Sequence, residues 1–218
     1  MSPRTLVHMS SDTSSPTSSP SSSLSPTPDH FAGDPRTNAE RMLAGDLYIA
    51  DDPAIFAAQA EAVRRAAAFR RAYDEDPFTS QDAARALFGT LDETAFVRAP
   101  VTVDYGSRIH VGRRTFINAG LTALDVAEIR IGADCQIGPN VQLLTPTHPL
   151  EPGPRRDKLE AARPITIEDN VWLGGGVIVC PGVTIGENSV VGAGSVVTRD
   201  VPPNSLAVGS PARVVRSL

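Results

Sequence analysis

Large rings are scarce in this chain: one Trp, three Tyr and seven Phe make up 5% of 218 residues. A core must therefore be assembled from Val, Ile, Leu and Ala, which fits a hydrophobic fraction of 41%. Cysteine is scarcer still. Cys135 and Cys180 are too few for a disulfide scaffold, and each lies in an apolar stretch. Both are expected as buried free thiols, which suits a reducing, cytoplasmic setting. No apolar run reaches the ~20 residues that cross a bilayer, so no membrane association is expected. The N-terminus has no continuous apolar stretch of the kind a secretory leader needs. Positive charge is not in excess. The net charge is −5, and the densest basic cluster is only Arg155, Arg156 and Lys158, so no nucleic-acid partner is expected. Histidine is rare too: His8, His30, His110 and His148. No Cys/His spacing resembles a zinc site, and no metal requirement is expected.

Residues 1–36 are rich in Ser, Pro and Thr, as in "SSDTSSPTSSPSSSLSPTPD". Such a segment buries too little apolar surface to offset its ordering entropy, so it reads as a disordered tail. Residues 37–95 read as a small helical cap. Ile55, Ala58, Ala62, Ala66, Phe69 and Tyr73 step by threes and fours. "DDP" at 51–53 is an acidic helix start with Pro in the first turn. A further helix is expected with Thr79 as N-cap, Asp82 three residues on and Gly89 near its end.

From residue 96 to 218 the rhythm changes to six. Ile131, Ile137 and Leu143 are six apart, and Ile167, Leu173, Val179, Ile185, Val191 and Val197 resume the same phase. Val171, Val177, Val183, Ser189, Ser195 and Val201 form a second series, and Gly174, Gly186 and Gly192 recur at one position. A period of six is neither helical nor simple strand alternation. It describes one short strand plus one turn, three of which close a triangular coil of about 18 residues. Glycine after the inward residue is expected because the turn needs little bulk or an unusual φ. The fold class is then all-β dominated, a parallel β-helix with a small N-terminal helical cap. The rhythm breaks at about 145–164, which predicts a loop that leaves the stack.

The hexads "IGADCQIGPNVQLL" and "PITIEDNVWLGGGVIVCPGVTIGENSVVGAGSVV" resemble the hexapeptide-repeat acyltransferases. "AGDLYIADDP", "DYGSRIHVGRRTFINAGLTALDV" and "THPLEPGPRRDKLE" narrow the resemblance to the maltose/galactoside O-acetyltransferase group over about residues 37–218. The resemblance implies a left-handed coil, acetyl-CoA as co-substrate, a sugar acceptor and a homotrimer with sites between subunits.

Acyl transfer from a thioester to an alcohol needs a base for the hydroxyl proton, and imidazole is suited to that at neutral pH. The resemblance puts His148 of "THP" in that role. The alternative is a loop histidine with no task. His110, inside a hexad, is expected to face solvent. Asn118 of "FINAG" matches an asparagine near the acceptor hydroxyl, where its amide would orient the hydroxyl or hold the oxyanion. Its alternative is an asparagine stacked in a turn. Asp125 of "LDV" resembles a sugar-contacting acid. Asp104 and Glu160 are further candidates, each with a plain solvated carboxylate as the alternative. Asp51 or Asp52 would close over the sugar from the cap, unless it only supplies charge to a helix start. Phe116 flanks the site and offers a ring face to a sugar. Trp172 follows a core valine and should point outward, which a subunit interface would explain.

For the donor, the resemblance implies pantetheine contacts to backbone near Gly175 and Ala193. It implies phosphate contacts at Thr198, Arg199, Arg213 and Arg216. The alternative for Arg213 and Arg216 is a solvated C-terminal end. Two rivals remain open: a same-fold acetyltransferase for a xenobiotic, serine or oligosaccharide acceptor, and a non-catalytic β-helix scaffold. The histidine count stands against the zinc carbonic anhydrases of this fold.

Overall fold

The computed structural model describes residues 29–218. The tail assigned to 1–36 lies largely outside the described residues. The chain divides into two units, 1–33 and 34–218. Of the first, residues 30–33 form a turn.

The second unit opens with α1 (Asn38–Ala44), which starts on a capping box. The Thr37 side chain accepts from Glu40 N, and Glu40 returns the bond to Thr37 N. Strand β1 (Tyr48–Ile49) follows, then the long α2 (Pro53–Glu75) and the short α3 (Gln81–Leu87). Asp52 is the N-cap of α2 and Pro53 its first residue. Ile55, Ala62 and Phe69 form its buried stripe, three of the six positions that the periodicity marks. The N-cap of α3 is Ser80 rather than Thr79, and no side chain caps it. Ser80 instead turns its hydroxyl back to Pro77 O, 2.8 Å away.

The remainder is a three-faced solenoid of parallel strands. The first face holds β2 (Thr90–Leu91), β5 (Ile109–Val111), β8 (Ile129–Ile131), β13 (Ile165–Ile167) and β16 (Thr184–Ile185). The second holds β3 (Phe96–Val97), β6 (Phe116–Ile117), β9 (Gln136–Ile137), β14 (Trp172–Leu173), β17 (Val190–Val191) and β19 (Ser205–Gly209), closed by the antiparallel β20 (Ala212–Ser217). The third holds β4 (Val101–Val103), β7 (Leu121–Leu124), β10 (Gln142–Leu144), β15 (Ile178–Val179) and β18 (Val196–Val197).

The hexad aliphatics are the core. Ile131, Ile137, Leu143, Ile167, Leu173, Val179, Ile185, Val191 and Val197 are all buried, and each stacks on its equivalent one coil away. Cys135 is buried and Cys180 half-buried, both as free thiols. The coils are not uniform. Leu91 pairs with Val111 and Val111 with Ile131, a step of 20 residues, whereas Ile167 pairs with Ile185, a step of 18. The six-residue rhythm is therefore plain only in the later coils, and the first strand of the stack stands at residue 90.

One corner is turned by Arg114, Asp134, Asn170, Asn188 and Asn204, all at φ between 55° and 60°. Asn and Asp tolerate that left-handed region better than most residues. Here they also tie the coils together. Asn170 Nδ2 donates to Asn188 Oδ1 at 2.9 Å, and Asn188 Nδ2 to Asn204 Oδ1 at 3.0 Å. The hexad glycines serve a different need. A Cβ on Gly132 would stand 2.3 Å from Asp169 Oδ1, and one on Gly174 would stand 2.5 Å from Ala193 N. It is the approach of the next coil that excludes a side chain there, not a positive φ.

Candidate active site

The break in the repeat is an excursion between β10 and β13. It contains β11 (Pro146–Thr147), α4 (Pro152–Arg156) and β12 (Leu159–Ala162). β12 pairs antiparallel with β11 on one side and with β1 of the cap on the other, Tyr48 opposite Glu160. This three-stranded sheet carries His148 just past the end of β11. Arg155 Nη1 donates to Pro149 O and Leu150 O at 3.1 and 2.7 Å, which holds the chain beside the histidine.

The His148 ring is exposed, and its Nδ1 lies 3.1 Å from Leu159 O. A carbonyl oxygen only accepts, so Nδ1 is the donor, and in the neutral ring Nε2 is the nitrogen with the lone pair. A base needs that tautomer. His110 differs. Its Nδ1 is 3.0 Å from Thr90 Oγ1 and its Nε2 is 2.7 Å from Glu128 Oε2, so both nitrogens are engaged on the first face.

Three carboxylates gather near the excursion. Asp125 is completely buried (0% exposed), and its oxygens accept from Asp104 N, Tyr105 N and Arg108 N at 3.1, 2.9 and 3.2 Å. The Asp125 carboxylate holds the 104–108 turn. Asp104, half-buried, is thereby placed next to it. Burial pushes the Asp104 carboxyl up to about 6, and the nearby charges of Asp125 and then Glu160 push the same way against Arg108. Glu160 Oε2 accepts from Tyr48 Oη at 2.8 Å. Burial, with Glu160 adding to it, drives the Tyr48 phenol far above its ordinary range. Tyr105 beside them is pushed up to about 12, again by burial first. Arg108 lies over the Tyr105 ring, 4.6 Å from its centroid, and donates to Val126 O.

In the cap, the exposed Asp51 accepts from Asn38 Nδ2 at 2.7 Å. Asp52 spends its oxygens on Ala54 N and Ala39 N, which lowers its carboxyl. Asp52 is thus the helix-start acid, and Asp51 is the one that faces solvent.

The second face carries a groove of about 420 Å3. Phe116, Asn118, Gly175 and Ala193 line it together, with Trp172 at 56% exposure beside Gln136 and Pro139. Gly174 and Gly192 leave backbone exposed in part of its wall. Asn118 Oδ1 accepts from Ala119 N at 2.9 Å and from Arg98 Nη1 at 3.2 Å. At the C-terminal end, Arg199 and Arg213 line one pocket of about 150 Å3 with Ala212 and Val214. Arg216 lies opposite Leu206 in the β19–β20 pair, and Thr198 is exposed just past β18. Among the described residues no group of three or more His, Cys, Asp or Glu could hold a metal, and no helix is long and apolar enough to cross a membrane.

Arg98 lies outside every motif quoted above, and Arg108 and Tyr105 fall within "DYGSRIHVG" without a role being given to them. Tyr48 likewise falls within "AGDLY" without a role. Their partners lie 20, 18, 63 and 112 residues away, beyond the reach of any local pattern.

A triangular coil of parallel strands with a histidine-bearing excursion and a groove along one face defines a scaffold of the hexapeptide type. The profile of the bacterial transferase hexapeptide (six repeats) matches residues 164–199, and that of the maltose acetyltransferase hexapeptide capping motif matches residues 41–92. The chain is 39% identical to a putative acetyltransferase of Saccharomyces cerevisiae over 82% of this chain and 92% of that protein. It is 56% identical to a putative acetyltransferase of Schizosaccharomyces pombe over 56% of this chain, a match that spans 59% of that protein. With the galactoside O-acetyltransferase of Escherichia coli it shares 47% over 61% of this chain and 65% of that one. Two solved structures superpose closely. One is a maltose O-acetyltransferase from Clostridium difficile (TM-score 0.81, 40% identity, 84% of this chain and 98% of that one). The other is a galactoside acetyltransferase in complex with coenzyme A (TM-score 0.79, 37% identity, 84% and 91%). The chain belongs to the hexapeptide-repeat acetyltransferases, in the maltose/galactoside O-acetyltransferase group.

Proposed function

We propose that this protein is an acetyl-CoA-dependent O-acetyltransferase that acetylates a hydroxyl of a sugar of the maltose, glucose or galactoside kind. The observation that carries the mechanism is the Leu159 carbonyl on His148 Nδ1, which leaves Nε2 free to take a proton. The acceptor hydroxyl gives its proton to Nε2 as its oxygen attacks the thioester carbonyl. The tetrahedral oxyanion is met by the Asn118 amide or a backbone N–H of the groove. The carbon–sulfur bond then breaks, and the CoA sulfur leaves with the proton from the imidazolium. No covalent acyl-enzyme is required.

The groove suits the donor. Its mostly apolar wall and the backbone at Gly175 and Ala193 fit a pantetheine arm, and the Arg199/Arg213 pocket fits phosphate. Thr198 and Arg216 are placed in the same donor end. The acceptor is assigned to Asp104, Glu160, Asp51 and the Phe116 ring. Asp104 and Glu160 lie with His148 near the excursion, whereas Phe116 and Asn118 lie on the second face. A homotrimer reconciles the two groups by setting one subunit's excursion over its neighbour's groove. What supports it is the outward row of the second face, where Phe96, Phe116, Gln136, Trp172 and Val190 stand in register, apolar at every position but Gln136. The first face instead presents Thr90, His110, Arg130, Thr166 and Thr184. An exposed tryptophan in a row that is mostly apolar is a feature of interface cores.

The test is thiol release from acetyl-CoA with a panel of glucosides, galactosides and maltose, for the wild type and His148→Ala. A well-placed general base contributes about 10²–10⁴ in rate. Release with one sugar that falls by at least about 10²-fold in the variant supports the reading. Release that survives the substitution removes His148 from the role of base.

A further inference from the structure

We propose that Arg98 is a positioning residue for acyl transfer, pinning the Asn118 amide so that Nδ2 is the atom presented to the reacting carbonyl. The inference rests on the reading of Asn118 as the oxyanion or hydroxyl partner.

Two N–H groups meet one atom of the Asn118 side chain: Ala119 N at 2.9 Å and Arg98 Nη1 at 3.2 Å. Neither a backbone N–H nor a guanidinium can accept, so the atom between them is the carbonyl oxygen. The amide NH2 is left for a ligand. The torsion that would swap the two is soft, because a terminal sp³–sp² bond has no sharp rotamer wells. With Arg98 gone, Ala119 N alone opposes rotation.

Arg98 is itself held at two points. Its backbone N donates to Ile117 O at 2.9 Å, which sets it one coil below Asn118 at the same corner. Its Nε lies 3.3 Å from Tyr73 Oη, on the last turns of α2. The cap therefore reaches the groove through Tyr73, Arg98 and Asn118 in sequence. Arginine keeps its charge at all working pH values. A charge-assisted bond to Oδ1 polarises the amide and makes Nδ2–H the stronger donor. Arg98 is exposed, so water competes for it and the effect is moderate.

The experiment is a double-mutant cycle on the full chain, with acetyl-CoA and the fastest acceptor of the panel above. Arg98→Met is expected to lower kcat about three- to tenfold, with KM for acetyl-CoA and the melting temperature unchanged. Arg98→Lys, which retains a donor, is expected to keep most of kcat. In an Asn118→Ala background, Arg98→Met is expected to have no further effect, because the group that it positions is absent. An unchanged kcat in Arg98→Met overturns the proposal. So does the same fold-loss with and without Asn118. If Asn118→Ala itself turns over at the wild-type rate, the reading of Asn118 fails and the proposal falls with it. That outcome is separate from an impaired Asn118→Ala that Arg98→Met worsens independently.

Discussion

Gly174→Ala is the sharpest probe of the stacked coil. The added methyl would stand 2.5 Å from Ala193 N, 2.8 Å from Ala193 Cα and 3.1 Å from Gly192 C. These are backbone atoms of the next coil, which cannot rotate aside, so the two coils must part. Overpacking of this kind costs about 1–3 kcal/mol. Parting them also lengthens the 2.8 Å bond from Gly174 N to Val191 O, worth about 1 kcal/mol. The expected loss is about 2–4 kcal/mol, or a melting temperature lower by about 5–15 °C for a chain of this size. Two controls separate crowding from backbone strain. Gly176 has φ 69° with nothing within 4 Å of a built Cβ, so Gly176→Ala bears only the left-handed penalty of about 1–2 kcal/mol. Gly153 has open space and no positive φ, and Gly153→Ala should be neutral or slightly stabilising. Urea unfolding at one fixed protein concentration reads all three. Gly174→Ala as stable as Gly153→Ala would refute the argument that close approach, rather than turn geometry, selects glycine in the hexads.

Asp104 gives a pH prediction with a definite sign. Its carboxyl is raised in the folded state to about 6, so the folded protein holds that proton more tightly than the unfolded chain does. Its contribution is present in acid and is lost as pH rises from about 4 through 6. Relative to wild type, Asp104→Asn should therefore gain in thermal stability over that interval and stay ahead above it. A difference in melting temperature that does not vary with pH would refute this. Arg199→Ala with Arg213→Ala should raise KM for acetyl-CoA by about tenfold or more, two charge-assisted contacts being lost. Initial-rate kinetics at saturating acceptor would show it, and an unchanged KM would move the phosphates elsewhere. Trp172→Glu buries a charge if the second face is a subunit interface. Light scattering should then report a smaller assembly; an unchanged mass would place the interface on another face.

Much of the solenoid could be read without coordinates, because a six-residue period is a local property. Each inward aliphatic meets its own equivalent, so the phase of Ile167, Leu173 and Val179 already names the core. The earlier coils hid this, since steps of 20 residues break the count of six between Leu91, Val111 and Ile131. The excursion was legible as a gap in that rhythm, and His148 as its lone imidazole. Which nitrogen is free was not legible: the Leu159 carbonyl that decides it arrives on β12, through pairing with β11.

The carboxylates show the division most clearly. The sequence offers Asp125 as the acid that the resemblance favours and Asp104 and Glu160 as further candidates, with no sign of how each is surrounded. Folding buries Asp125 under three backbone amides, leaves Asp104 half-buried beside it with a raised carboxyl, and hands Glu160 to Tyr48 from the cap. What the sequence by itself determined was the repeat, the helical cap and the residue types available for chemistry, because those depend on neighbours within a turn or a strand. What only the tertiary structure decided was burial, tautomer and charge environment, because those depend on groups brought together from 11 to 112 residues apart.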